Sequence, residues 1–137
     1  MFGCVPTRKH RIRIHPSIRS SLLDILQVRK PDFGLIDGII GNQVEEVRSN
    51  PMPHGILLAS HDPLALDIIG TRCMGINEDE IEFLKTAKDF YKFNPEEIEV
   101  IGEKVENVSK HYNRKYGFTT KARYAAERVM SKVLNVV

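Results

Sequence analysis

The run Gly55-Ile56-Leu57-Leu58-Ala59, followed at once by Ser60-His61-Asp62-Pro63, constrains the fold more than any other feature of the chain. A short continuous apolar run suits a buried strand, and an acid with proline directly after it starts a helix. Asp62 is the natural cap, since its carboxylate can accept from the first amides that lack an intrahelical partner. The helix after Pro63 places Leu64, Ile68, Ile69 and Cys73 on one apolar side. It is expected to stop near Gly75, whose missing side chain permits the left-handed closing conformation.

The same alternation of helix and short strand recurs along the chain. Ser17 can cap a helix in which Ile18, Leu22, Ile25 and Leu26 form one stripe, ended by Lys30-Pro31. Phe33–Ile36 reads as a short buried strand closed by Asp37-Gly38, and residues 41–53 as an exposed loop. Asn77 with Glu80 three residues later is a capping-box pattern, opening a helix with Ile81, Leu84, Ala87 and Tyr91 on its buried face up to Phe93. Ile98–Gly102 alternates like an edge strand, and Thr119 or Thr120 can cap a last helix bearing Ala122, Ala125, Val129, Val133 and Val136 on one face. Together these segments predict an α/β fold: a small, at least partly parallel sheet of three or four short strands, with helices packed against it. At 137 residues the expectation is a single domain, residues 1–137, whose residues 104–137 form a basic carboxyl-terminal extension with an amphipathic helix. So few strands make a meagre sheet, which points to a homo-oligomer or a companion chain.

Composition removes several function classes. No stretch approaches the roughly 20 apolar residues of a bilayer span, and Met1–Arg13 lacks the apolar core of a secretory signal, so a cytoplasmic protein without a membrane span is expected. The two cysteines, Cys4 and Cys73, read as free thiols; they are too few for a four-cysteine iron–sulfur cluster, so none is expected within this chain. There is no glycine-rich phosphate loop, no Gly-x-Ser-x-Gly elbow and no His-Glu-x-x-His pair. The net charge of +2 conceals a segregation into +5 over residues 1–19, −9 over 20–103 and +6 over 104–137. Such basic ends either engage an acidic partner or nucleic acid, or fold back on the acidic middle of the same chain.

In an open α/β sheet ligands collect beyond the carboxyl ends of the strands, where Asp37 and the pair His61-Asp62 stand. If the two strands run parallel these groups converge, and Asp37 and Asp62 become candidate metal ligands, with His61 as imidazole donor or proton carrier. An antiparallel pairing would separate them. Each also has a purely local role: Asp37 as turn residue, Asp62 as cap, His61 as solvated loop histidine. Asp67 lies past the capping turn of an apolar helix, where an acid needs a partner such as Arg72, or solvent, or a ligand. Lys9, His10, Arg11, Arg13 and His15 form a basic cluster suited to an anion, or a solvated arm.

The segments Phe33–Gly41, Gly55–Asp67 and Cys73-Met74-Gly75, together with Met1–Pro6 and Ile98–Glu103, resemble the prokaryotic domain of unknown function family 362 over residues 1–103. The stretch Asp62-Pro63-x-Ala65-x-Asp67 is the most specific part of the likeness. Many members of that family hold a ferredoxin-like iron–sulfur module, absent here, so the resemblance implies a redox-associated background. It also implies that this chain corresponds to the carboxyl-terminal half of the family domain, with Glu45-Glu46-Val47-Arg48 where the family tends to place a glycine-proline pair. By resemblance Lys9, His15, Asp37, Asp62 and Asp67 are the candidate ligand-binding residues, beside His61. Three functions stay open: a small-molecule or metal-binding domain, a non-catalytic module binding an acidic partner or nucleic acid through its basic termini, and a truncated inactive remnant.

Overall fold

The computed structural model describes residues 5–15, 18–44, 50–114 and 129. The chain divides into two compact units, residues 1–29 with 115–137, and residues 30–114.

In the first unit, α1 (Arg8–Ile14) and α2 (Ile18–Val28) are the described helices. Thr7 caps α1, its hydroxyl oxygen accepting from the His10 amide at 3.2 Å. The basic cluster read from the sequence is thus helical. In α2 the expected stripe is half-buried, and Leu23 is the residue most enclosed. Ser17, the expected cap, and the helix expected after Thr119 lie outside the described residues, apart from Val129, which is helical.

The second unit runs β1 (Gly34–Asn42), β2 (Pro51–Ser60), α3 (Pro63–Cys73), a 3₁₀ turn at Glu78–Glu80, α4 (Glu82–Tyr91), a second 3₁₀ turn at Pro95–Glu97, and α5 (Val105–Val108). Among the described residues the sheet has two strands, and they are antiparallel, with Gly34 opposite Ser60 and Asn42 opposite Pro51. This corrects the expected parallel sheet of three or four strands. Two reasons are visible. The segment after Asp37 is not a crossover, because β1 continues through Asp37-Gly38 to Asn42 and pairs antiparallel with β2. And Ile98–Gly102, alternating though it is, forms no strand and joins no sheet among the described residues; Ile101 is 91% exposed.

The hairpin tolerates its apparent turn residues through a bulge. Gly38 faces Ile56 and Ile40 faces Pro53, so His54 and Gly55 together oppose Ile39. Gly55 takes φ +82°, open to glycine without strain. On the other strand the Asp37 carboxylate accepts from the Ile39 amide at 3.0 Å.

α3 is the centre of this unit, burying Leu64, Leu66, Ile68, Ile69 and Cys73. It starts as expected, with Pro63 in the first turn and the Asp62 Oδ1 accepting from the amides of Leu64 and Ala65 at 2.8 and 2.9 Å. It closes at Gly75, φ +65°. The helix expected from Asn77 is divided: Asn77 caps the 3₁₀ turn by accepting from the Asp79 amide, and α4 begins after Ile81, burying Leu84 and Ala87.

Two devices hold the far end of α3. Residues 109–113 form a strap that donates to its last carbonyls: Ser109 Oγ to Arg72 at 3.1 Å, the Lys110 amide to Cys73 at 2.9 Å and the Tyr112 amide to Met74 at 3.2 Å. Arg72 meanwhile grips the 3₁₀ turn, its Nη2 lying 2.5 Å from Oε1 of the buried Glu78 and its Nε 3.1 Å from Oε2. The guanidinium holds the Glu78 carboxyl below its usual range. A carboxyl with a lowered folded pKa contributes stability above its unfolded pKa and loses it as pH falls through the folded value. Glu78→Gln is therefore expected to cost about 2 kcal/mol in urea unfolding at pH 7, a deficit that shrinks on acidification. Equal unfolding midpoints at pH 7 would show that the pair does not stabilise the fold.

Candidate functional site

A groove of about 370 Å³ opens within the second unit, between the inner face of the hairpin, α3, α4 and the strap. Its apolar wall includes Ile36, Leu58, Met74, Phe83 and Leu84. Asp67, Thr71, His54 and Tyr112 bring polar atoms to it.

His54 and Tyr112 are both buried, and their hydrogen bonds determine which way each proton points. The Val108 carbonyl can only accept, so His54 Nε2–H donates to it (2.7 Å), leaving Nδ1 to accept from the Tyr112 hydroxyl at 3.0 Å. Burial raises the tyrosine's pKa, keeping the phenol protonated for this role. Gly41 makes room for the ring: a Cβ there would overlap the Tyr112 hydroxyl. Lys110 completes the joint, its Nζ donating to the Pro53 carbonyl at 2.7 Å. Neither His54 nor Tyr112 was singled out from the sequence. One local signal was present, since His54 falls on the same two-residue period as Met52, Ile56 and Leu58, the inward-facing side of β2.

Asp67 borders the groove and is exposed along part of its surface, and the partial burial of its carboxyl pushes its pKa up. It does not pair with Arg72, which is bound to Glu78. Thr71 Oγ donates to the Asp67 carbonyl one helical turn back at 2.7 Å.

The remaining sequence candidates are placed differently. Asp62 is engaged three times, by the amides of Leu64 and Ala65 and by Lys30 Nζ at 2.8 Å. Burial pushes its carboxyl up, but Lys30 and those amides together outweigh this and hold it below the usual carboxylate range. His61 Nδ1–H donates to the Asp32 carbonyl at 2.7 Å, and its ring meets Phe33 edge-on. Asp37 borders the groove, but strand alternation sets it on the exposed side with Leu35 and Ile39, and its carboxylate holds the Ile39 amide. The antiparallel register puts Asp37 opposite Leu57, away from the strand end where His61 and Asp62 stand, so the parallel arrangement that would converge them is not formed. Among the described residues no three His, Cys, Asp or Glu side chains gather as a metal site. Lys9 and His15 belong to the first unit, Lys9 in α1 and His15 at its carboxyl cap. Cys73 is a buried free thiol whose pKa burial raises, and Cys4 lies outside the described residues.

The family described as Domain of unknown function (DUF362) matches residues 1–72, more than half of the chain. The chain belongs to that family. The DUF362 match takes in the hairpin and α3 as far as Arg72, so Met74, Phe83, Leu84 and Tyr112 on the groove wall lie beyond it, as do the likenesses read at Cys73–Gly75 and Ile98–Glu103. No curated protein and no solved structure matches the chain. No helix among the described residues is long and apolar enough to cross a membrane.

The raised pKa of Asp67 has a definite consequence. The folded state holds that proton more tightly than the unfolded state, so stability falls as pH rises through the carboxylate range towards the folded pKa. Asp67→Asn is expected to raise the melting temperature at pH 7 and to leave it unchanged below the carboxylate range. A lower melting temperature at pH 7 would show that the ionised group is compensated in the fold.

Proposed function

We propose that the DUF362 chain is a small-molecule-binding domain whose site is the groove of residues 30–114. The single observation that supports this is the groove itself: about 370 Å³, apolar-walled, with a desolvated carboxyl and a hydrogen-bonded His–Tyr pair on it. Ligand pockets run from about 300 to 1,000 Å³ and combine apolar walls with a few convergent polar groups. In this reading Asp67 is the ligand-facing residue among the sequence candidates, while Asp62 and Asp37 serve the helix start and the bulge.

A titration of the isotope-labelled chain with small water-soluble aromatic compounds, followed by amide NMR, tests it. Shifts clustered at Ile56, Asp67, Phe83 and Tyr112 are expected. Shifts confined to Leu35, Ile39 and Leu57 on the outer sheet face, or none, would refute the site.

One observation favours a second reading, in which the basic amino-terminal segment engages an acidic partner or nucleic acid. Helix α1 buries none of its residues and carries Arg8, Lys9, Arg11 and Arg13. Phosphate contacts release counterions, so binding to a short DNA duplex, read by fluorescence anisotropy, is expected to weaken with salt at a log–log slope of about −3. Absence of binding at low salt would remove nucleic acid from this reading.

A further inference from the structure

The polar atoms on the groove are not neutral in their preferences. Thr71 has one hydroxyl proton, and it is donated to the Asp67 carbonyl. Tyr112 has one, and it is donated to His54 Nδ1. The remaining His54 proton goes to the Val108 carbonyl. Asn42, also on the wall, uses its Oδ1 to accept from the Asn50 amide at the hairpin end. What Thr71, Tyr112 and Asp67 still offer a ligand is therefore acceptor capacity: two hydroxyl oxygens and a carboxylate. Among the described residues that line the groove there is no lysine and no arginine.

We propose that the groove selects an organic ammonium compound, an apolar or aromatic body bearing a protonated amine, and rejects the corresponding carboxylate. The inference rests on the groove being a ligand site and adds the class of ligand it takes. An ammonium group supplies up to three donors to a wall of acceptors, and its charge offsets the cost of keeping the Asp67 carboxylate among apolar atoms. A carboxylate would bring acceptors to acceptors and place a second negative charge near the first. Partial burial raises the Asp67 pKa, and a ligand cation beside the carboxylate would lower it again. The walls of Ile36, Leu58, Met74, Phe83 and Leu84 would enclose the apolar body.

Three isosteric probes separate the possibilities: 2-phenylethylamine, 2-phenylethanol and phenylacetate, each titrated into the intact chain at pH 7 with amide NMR as the readout. The amine is expected to bind about tenfold or more tighter than the alcohol, as a charge-assisted hydrogen bond allows, and phenylacetate to give no groove shifts. Asp67→Asn should bring the amine down to the affinity of the alcohol, and Asp67→Glu should keep the preference. Phenylacetate binding as well as the amine, or a preference that survives Asp67→Asn, overturns the ammonium assignment while leaving a groove that binds ligands. No groove shifts with any of the three overturns both.

Discussion

The structure of residues 30–114 depends on how the carboxyl end of α3 satisfies its backbone. A helix ends with carbonyls that have no intrahelical donor, and α3 ends inside the unit, where Cys73 is buried. The strap supplies the donors, in order, to Arg72, Cys73 and Met74. Once it is fixed there, Tyr112 falls against Gly41 and His54, and Asn113 accepts from the Val44 amide beyond the end of β1. Helix end, hairpin and groove wall are thus one cooperative arrangement built from segments far apart in the chain.

This explains which parts were legible in the sequence. Helix α3 was, because everything that defines it is local: the Asp62 cap, Pro63 in the first turn, the apolar spacing and the glycine that closes it. The strand at Gly55–Ala59 was legible too, within the longer β2. The direction of pairing was not, since a continuous apolar run suits a parallel or an antiparallel neighbour equally. Asp37-Gly38 looked like a strand end because the residues that make a turn also serve a bulge. Pro51 and Pro53 looked like loop residues because proline is excluded from strands except at edges. The strap and its Tyr112–His54 bond join residues 58 apart, and no periodicity within a window of the chain reports such a contact.

The acids of the chain illustrate how alike structural and functional carboxylates look before the fold is known. Asp62, Asp37 and Asp67 lie in or beside the most conspicuous motifs of the sequence. In the structure Asp62 and Asp37 hold backbone amides, whereas Asp67, which borders the groove as Asp37 does, holds none among the described residues. What distinguishes it is the absence of a local amide for its oxygens to receive, which is the mid-helix position that made it conspicuous at the outset.

The prolines of β2 carry a consequence for the sheet as a template. Successive alternate residues of a strand direct their amides to the same edge, so the two donors missing at Pro51 and Pro53 fall on one side. The Pro53 carbonyl on that side is held by Lys110 from outside the hairpin. A strand laid along β2 would find gaps where hydrogen bonds belong and a lysine in its path. The outer edge of β2 is thereby closed to a further strand by the residues of the strand itself and by the strap.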